Sequence, residues 1–307
     1  TGFVGMSMAY TMLNRGGVNE LILIDINKDK TIGEEMDLNH GMPYAPQKMI
    51  IKAGDYSECK DAEVIVITAG LAQKPGQTRL ELAEANAKIM KDITKSIMES
   101  GFNGVIIVAS NPVDLMTYVV AKVSGLPTNQ VFGSGTVLDS ARLRFILSDR
   151  LNISSKNIHA YIMGEHGDSS FIPWSCAEIG AVSVDEYPEV MKANGMEFEP
   201  VDKEAMIEYV RKSGGKIIAN KGATFYAVSA SVVQLCNLLV AASDSMVTVS
   251  TMMHGEYGVE DVCLSTLALI GPDGYKGKVL VELTDEELEK MQASAAALKS
   301  VISQIEI

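Results

Sequence analysis

The strongest constraint on this chain is a series of short, unbroken apolar runs: Leu21-Ile22-Leu23-Ile24, Met49-Ile50-Ile51, Val64-Ile65-Val66-Ile67, Val105-Ile106-Ile107-Val108 and Val131-Phe132. Each is too short for a buried helix and lacks the alternation of a strand with one wet face. Such runs belong to strands covered on both sides, as in a parallel sheet clad by helices. Helical periodicity fills the intervals, including residues 29–38 and 80–100. Alternating strands and helices predict an α/β, doubly wound parallel sheet.

After about residue 134 the rhythm changes. Residues 139–150 and 202–220 read as helices, while 158–163 and 259–283 read as strands and turns with antiparallel pairing, Gly271-Pro272-Asp273-Gly274 being a turn. The last helix opens on a capping box, Thr284 with Glu287, and Leu283 and Leu288 are spaced as a hydrophobic staple. A chain of 307 residues is expected to form two units. Residues 1–133 read as a Rossmann sheet domain and 134–307 as an α+β domain.

Acidic residues outnumber basic ones by 39 to 26, a net charge of −13 that disfavours a nucleic-acid partner, which needs a basic face. No apolar run reaches the length of a membrane span, so no membrane partner is expected. Cys59, Cys176, Cys236 and Cys263 are scattered, with neither CxxC nor metal-ligand spacing. They are expected as reduced thiols of a cytoplasmic protein, without a metal site.

The first residues carry a more specific signal. Gly2 and Gly5 open a stretch in which Met6, Met8, Ala9, Met12 and Leu13 share one helical face, and Asp25 closes the next apolar run. Glycines let the backbone approach a pyrophosphate at a helix N-terminus, and an acid ending the following strand bonds the adenosine ribose hydroxyls. This order of turn, helix, strand and acid predicts dinucleotide binding, and the charge of Asp25 favours NAD over its 2′-phosphorylated form. The fingerprint's first glycine and its preceding strand are expected upstream of Thr1.

The chemistry centres on Met163-Gly164-Glu165-His166-Gly167-Asp168-Ser169. His166 follows the apolar run Ala160-Tyr161-Ile162-Met163, which reads as a strand end delivering an imidazole into a cleft. An imidazole titrates near neutrality and suits the taking and returning of one proton. Alone, the same pattern also describes a surface histidine in a glycine turn.

In order along the chain, Gly2-Phe3-Val4-Gly5, Thr68–Arg79, Ser110-Asn111-Pro112-Val113-Asp114, Gly133–Arg142 and Gly164-Glu165-His166-Gly167-Asp168 resemble the bacterial L-lactate dehydrogenases of the lactate/malate dehydrogenase superfamily. The resemblance covers essentially the whole chain. It implies NAD as cofactor and reversible hydride transfer between L-lactate and pyruvate. It further implies that His166 exchanges the proton, that Asp139 pairs with it, and that Arg79, on a mobile Pro-Gly segment, polarises the reacting carbonyl. By the same resemblance Arg142 clamps the substrate carboxylate through two parallel hydrogen bonds, Asn111 steadies substrate and nicotinamide, and Thr224 lines the pocket. Val4, Lys30, Tyr56, Gly70, Leu71, Ala109, Ser110 and Ser134 match the family's NAD contacts, alongside Gly2, Gly5, Asp25 and Asn111.

Gln73 stands where malate dehydrogenases carry an arginine for a second carboxylate. A neutral side chain would leave that charge unpaired, so lactate is expected over malate. Arg144 and His159 match the positions that bind fructose 1,6-bisphosphate at a subunit interface in the activated bacterial enzymes. This implies an allosteric enzyme and a homotetramer. Gln77 departs from the family's usual Glu, and residues 188–203 form a slightly longer segment than usual. The competing readings are a dehydrogenase for malate or another 2-hydroxy acid, and a non-catalytic relative.

Overall fold

The computed structural model describes residues 1–71 and 78–307, with the side chain of Arg79 outside that description. The chain opens with α1 (Phe3–Arg15), β1 (Glu20–Leu23), α2 (Lys28–Gly41), β2 (Ile50–Ala53) and β3 (Val64–Ile67). The alternation continues through α3 (Arg79–Glu99), β4 (Val105–Val108), α4 (Val113–Ser124) and β5 (Val131–Gly133). Next come α5 (Val137–Leu151), the short strands β6 (Ile158–His159), β7 (Glu178–Ile179) and β8 (Val182–Ser183), then α6 (Tyr187–Lys192), α7 (Lys203–Lys221) and α8 (Tyr226–Leu239). Strands β9 (Ser245–His254), β10 (Glu260–Gly271) and β11 (Gly274–Lys278) precede the final α9 (Asp285–Ile302).

β3, β4 and β5 run parallel, with Val64 opposite Val105 and Ile106 opposite Val131. All four residues of β4 are buried, the physical basis of its unbroken apolar run. β1 and β2 pair in parallel as a separate two-stranded sheet; among the described residues β1 and β3 do not pair.

The larger sheet continues past β5. Gly133 pairs antiparallel with Ser250, and the six strands lie in the order β11-β10-β9-β5-β4-β3. One ladder therefore joins the parallel strands to an antiparallel meander, whose β10–β11 turn falls at the expected Gly271–Gly274. The sequence reading does not anticipate β9, because Thr248, Ser250 and Thr251 dilute its apolar signal although all three are buried. Of the expected strand 158–163, only Ile158–His159 pairs as one; Met163 and Gly164 make single bridges to Phe171 and Ser265. His166 thus follows isolated bridges rather than a regular strand end.

α4 forms the centre of the packing, with every residue from Val113 to Val120 buried. Its Leu115, Met116 and Val119 share a cluster with Ala87 and Met90 of α3, Leu264 of β10 and Met291 and Leu298 of α9. On the other side of the sheet, Met8 and Met12 of α1 and Val232 and Leu235 of α8 pack with Ile107 and Phe132. A third cluster joins Leu143 and Leu147 of α5 to Ile158, Ile179, Met206 and Val210. The capping box of α9 forms in both directions between Thr284 and Glu287. The four cysteines are free, and no described helix is long and apolar enough to cross a membrane.

Candidate active site

The loop carrying His166 is pinned from both sides. Gly164 has φ +88°, the left-handed region that favours glycine, and a Cβ there would lie 2.9 Å from Ser294 Oγ on α9. That close approach lets Ser294 Oγ accept from the Glu165 main-chain N–H at 2.8 Å and share a 3.0 Å hydrogen bond with Ser169. The next N–H, of His166 itself, donates to Asp114 Oδ2 at 2.7 Å. The residue so held lines a cleft with Ala109, Asn111, Ser134, Leu138 and Val228.

Asp139 enters from the first turn of α5. Thr136 is the N-cap and no side chain caps that helix, so the carboxylate is not used as a cap. Instead its Oδ2 meets His166 Nδ1 at 2.5 Å, and its Oδ1 accepts from Arg142 Nη1 at 2.8 Å. Burial opposes charge on His166, but attraction and hydrogen bonding from Asp139, helped by Asp114, raise its pKa from 6.5 to about 9. Burial likewise pushes the Asp139 carboxyl up, and His166 and Arg142 outweigh it to hold that group below the usual carboxylate range. At neutral pH the cluster is an imidazolium, a carboxylate and a guanidinium. With Nδ1 donating to Asp139, Nε2 is the ring atom that serves a ligand in the cleft.

The residues expected for a dinucleotide form a track leading to this cleft. Gly2 is the N-cap of α1, whose end has no side-chain cap and whose first turn has no acid, so its N–H groups and dipole suit an anion. A Cβ on Gly5 would sit 3.0 Å from Thr68 Oγ1, so a side chain there would crowd the end of β3. Val4, beside it, accepts from Ser229 Oγ through its carbonyl at 2.9 Å.

Asp25 accepts from Thr1 Oγ1 at 2.6 Å and from the Asn27 N–H at 3.0 Å. Burial pushes its carboxyl up, but these hydrogen bonds keep it well below the ordinary carboxylate range and charged. It lines a second pocket with Lys28, Thr31, Ala53 and Asp55. Lys30 donates to the Thr1 carbonyl. Tyr56 is near enough that, behind burial and Cys59, the charge of Asp25 helps raise its phenol pKa.

At the other end of the track, Leu71, next to Gly70, is tied to Asn111 through buried Asn86. The Leu71 N–H donates to Asn86 Oδ1 at 2.8 Å, and Asn86 Nδ2 donates to the Asn111 carbonyl at 3.0 Å. Ser110 Oγ donates to the Ile67 carbonyl at 3.2 Å, and the Ser134 N–H donates to the Val108 carbonyl at 2.7 Å. An uncapped helix end, a crowded glycine and a charged acid at this spacing fit NAD.

Gln73 and Gln77 lie outside the described residues, as does the side chain of Arg79, which begins α3 directly after the capping Thr78. Thr224 is half-buried in the α7–α8 connection, four residues before Val228 of the cleft. Arg144 and His159 do not line the cleft. Arg144 is half-buried on α5 with Nε donating to the Ser140 carbonyl at 3.3 Å, and His159 is exposed on β6. Sequence reasoning assigned no role to Asn86, Asp114, Leu138, Val228 or Ser231. Asp114 and Leu138 stand inside the quoted motifs Ser110–Asp114 and Gly133–Arg142; the others carry no local signal beyond ordinary helical spacing.

A glycine-opened helix beside an acid, with an imidazole–carboxylate pair beyond the ends of the parallel strands, is the arrangement of the nicotinamide-dinucleotide dehydrogenases as a class. Residues 1–133 match the lactate/malate dehydrogenase NAD binding domain, and residues 136–306 match the lactate/malate dehydrogenase alpha/beta C-terminal domain. The chain belongs to the lactate/malate dehydrogenase family, and its cofactor is NAD. It is 47% identical over 299 residues to an L-lactate dehydrogenase of Priestia megaterium, covering 97% of this chain and 92% of that one. Among solved structures it resembles a lactate dehydrogenase enzyme from a Medee basin deep-sea metagenome library, with TM-score 0.94, 45% identity and coverage of 99% and 96%. It also resembles the malate dehydrogenase of Archaeoglobus fulgidus in complex with NADH, with TM-score 0.87, 36% identity and coverage of 99% and 97%.

Proposed function

We propose that this protein is a cytoplasmic L-lactate dehydrogenase interconverting L-lactate and pyruvate, with residues 1–133 holding NAD and 134–307 supplying the substrate groups. The observation that carries the reading is the single buried carboxylate of Asp139 shared by His166 and Arg142. NAD, when bound, would supply the hydride acceptor for lactate oxidation and, in its reduced form, the hydride donor for pyruvate. Gly2, Val4, Gly5, Asp25, Lys30 and Tyr56 would hold its adenosine and pyrophosphate end. Gly70, Leu71, Ala109, Ser110, Asn111 and Ser134 would hold its nicotinamide end.

Charged His166 gives its Nε2 proton to the pyruvate oxygen as C2 is reduced, and neutral His166 takes it back in the oxidation. Asp139 keeps Nδ1 protonated and stabilises the charged ring. Arg142 turns its guanidinium to the substrate carboxylate, Arg79 polarises the carbonyl, and Asn111 and Thr224 confine the substrate. Gln73, neutral, selects a methyl group over a second carboxylate. Arg144 and His159 receive the phosphates of fructose 1,6-bisphosphate between subunits of a homotetramer.

The test follows NADH absorbance with pyruvate and with oxaloacetate, each with and without fructose 1,6-bisphosphate. Preferred turnover of pyruvate supports the lactate reading. Preference for oxaloacetate overturns it in favour of malate, and turnover of neither supports a non-catalytic relative. Activation by the bisphosphate that is lost in Arg144→Gln supports the effector site, and indifference to the bisphosphate removes it.

A further inference from the structure

We propose that Asp114 is a positioning residue for the proton-exchanging imidazole, its buried carboxylate fixing the His166 main chain with one oxygen and the Ser250 hydroxyl with the other. The inference rests on the reading of His166 as proton donor and extends it to a second acid. Asp114 is 1% exposed, in the first turn of α4. Its Oδ2 accepts from the His166 N–H at 2.7 Å, and its Oδ1 accepts from Ser250 Oγ at 2.6 Å. Ser250 is itself fully buried and belongs to β9, where it pairs with Gly133. The acid therefore links α4, the central sheet and the catalytic loop.

Burying a carboxylate is costly unless its charge is used. Among the described residues its two oxygens bond the His166 N–H and Ser250 Oγ rather than α4, whose N-cap Pro112 supplies no side-chain cap, so helix capping does not account for the acid. Both of its partners are donors, which an acceptor-only carboxylate satisfies. The charged and titratable groups acting on it are His166 and Glu165 of the loop, and it acts in turn on Cys263 of β10. His166 also feels Asp139 and Arg142 of α5. Burial raises the Asp114 pKa to about 6 against the pull of Ser250 and the His166 N–H, so the group is an anion where His166 titrates. It helps hold the proton on the ring.

The experiment compares the full-length protein with Asp114→Asn, which keeps the shape and an acceptor for the His166 N–H but loses the charge. Two readouts are taken: the pH profile of kcat/KM for pyruvate, and the NMR titration of the His166 imidazole without substrate, assigned by its loss in His166→Asn. Protonated His166 is the form that reduces pyruvate, so removing a negative charge moves the alkaline limb to lower pH. The expected shift is on the order of one pH unit in both readouts. Asp114→Ala, which also loses the hydrogen bond, lowers kcat about tenfold with KM little changed.

Coincident titrations of His166 in the parent and in Asp114→Asn, together with an unchanged kcat in Asp114→Ala, overturn the proposal. If Asp114→Asn does not fold, Ser250→Ala takes its place. It removes one of the two donors that keep the carboxylate charged, so a smaller shift in the same direction is expected, and an unmoved titration overturns the proposal. A parent that reduces neither pyruvate nor oxaloacetate, but whose His166 titration shifts in Asp114→Asn, removes the dehydrogenase reading and leaves the link between Asp114 and His166 supported.

Discussion

Replacing Asp139 with Asn keeps the side chain's shape and removes its charge. In the parent this carboxylate, 6% exposed, holds His166 Nδ1 at 2.5 Å and Arg142 Nη1 at 2.8 Å. Against the ring's burial, it is the main cause of the rise of the His166 pKa from 6.5 to about 9. A rise of that size corresponds to about 3 kcal/mol of preference for the charged ring. The His166 side chain is 28% exposed, so water screens only part of it. In Asp139→Asn, burial and Arg142 both favour the neutral ring against the opposing pull of Asp114, and the pKa falls to the ordinary value or below. At about pH 7.5 the parent ring is almost wholly protonated, and the variant ring is protonated to about a tenth at most. On the proposed mechanism reduction needs the protonated form, so kcat/KM for pyruvate drops at least about tenfold at that pH from protonation alone. The alkaline limb moves from about 9 to 6.5 or below, and acidic pH restores part of the lost rate. The folding side obeys the same linkage. His166 contributes full stability below 6.5 and loses it as pH rises through about 9, so the melting temperatures of parent and variant converge across that window. A limb that stays near 9 in the variant refutes the assignment of the ring's proton affinity to Asp139.

Arg142→Lys replaces a planar fork by a point charge and raises KM for pyruvate by one to two orders of magnitude, roughly, with a smaller effect on kcat. An unchanged KM at saturating NADH would remove the clamp. Gly164→Ala places a Cβ at φ +88° against Ser294 Oγ at 2.9 Å, and is expected to destabilise by about 1–3 kcal/mol in urea unfolding. Adding Ser294→Ala relieves the contact but not the backbone, so recovery is partial; full recovery would mean that the φ value costs nothing. Gln73→Arg supplies a partner for a second carboxylate and shifts kcat/KM from pyruvate towards oxaloacetate by on the order of a hundredfold. An unmoved ratio would show that another group selects the substrate.

The runs Val64–Ile67 and Val105–Val108 are strands over the same residues in the structure, because a strand covered on both faces shows its length as unbroken hydrophobicity. β9 was illegible for the opposite reason. Its Thr248 and Ser250 are buried as hydrogen-bonding partners of Ser140 and Asp114, and no local rule separates such residues from those of a wet strand. The glycines around His166 were legible as a tight turn, and Gly164 does take a positive φ. Asp139 was different: it lies 27 residues before His166, and only family resemblance suggested the pair, since a helix's first turn and a later loop share no local pattern. Asp114 stood in a quoted motif without a role, because its partners are a main-chain N–H and a serine on an unanticipated strand.

The two acids serving His166 come from equivalent places in the fold. β4 ends at Val108 and leads to Asp114 in the first turn of α4; β5 ends at Gly133 and leads to Asp139 in the first turn of α5. Parallel neighbouring strands bring these helix N-termini to the same sheet edge, where the helix dipoles favour negative charge and offset part of the cost of burying it. One carboxylate takes the ring and the other takes the main chain, so both the orientation and the position of the imidazole are set by rigid elements. The loop itself needs only glycines to turn and a serine from α9 to hold its flank. A residue outside any helix or strand is thereby held for the proposed proton exchange: the precision belongs to the ends of the sheet's own connections, and the loop inherits it.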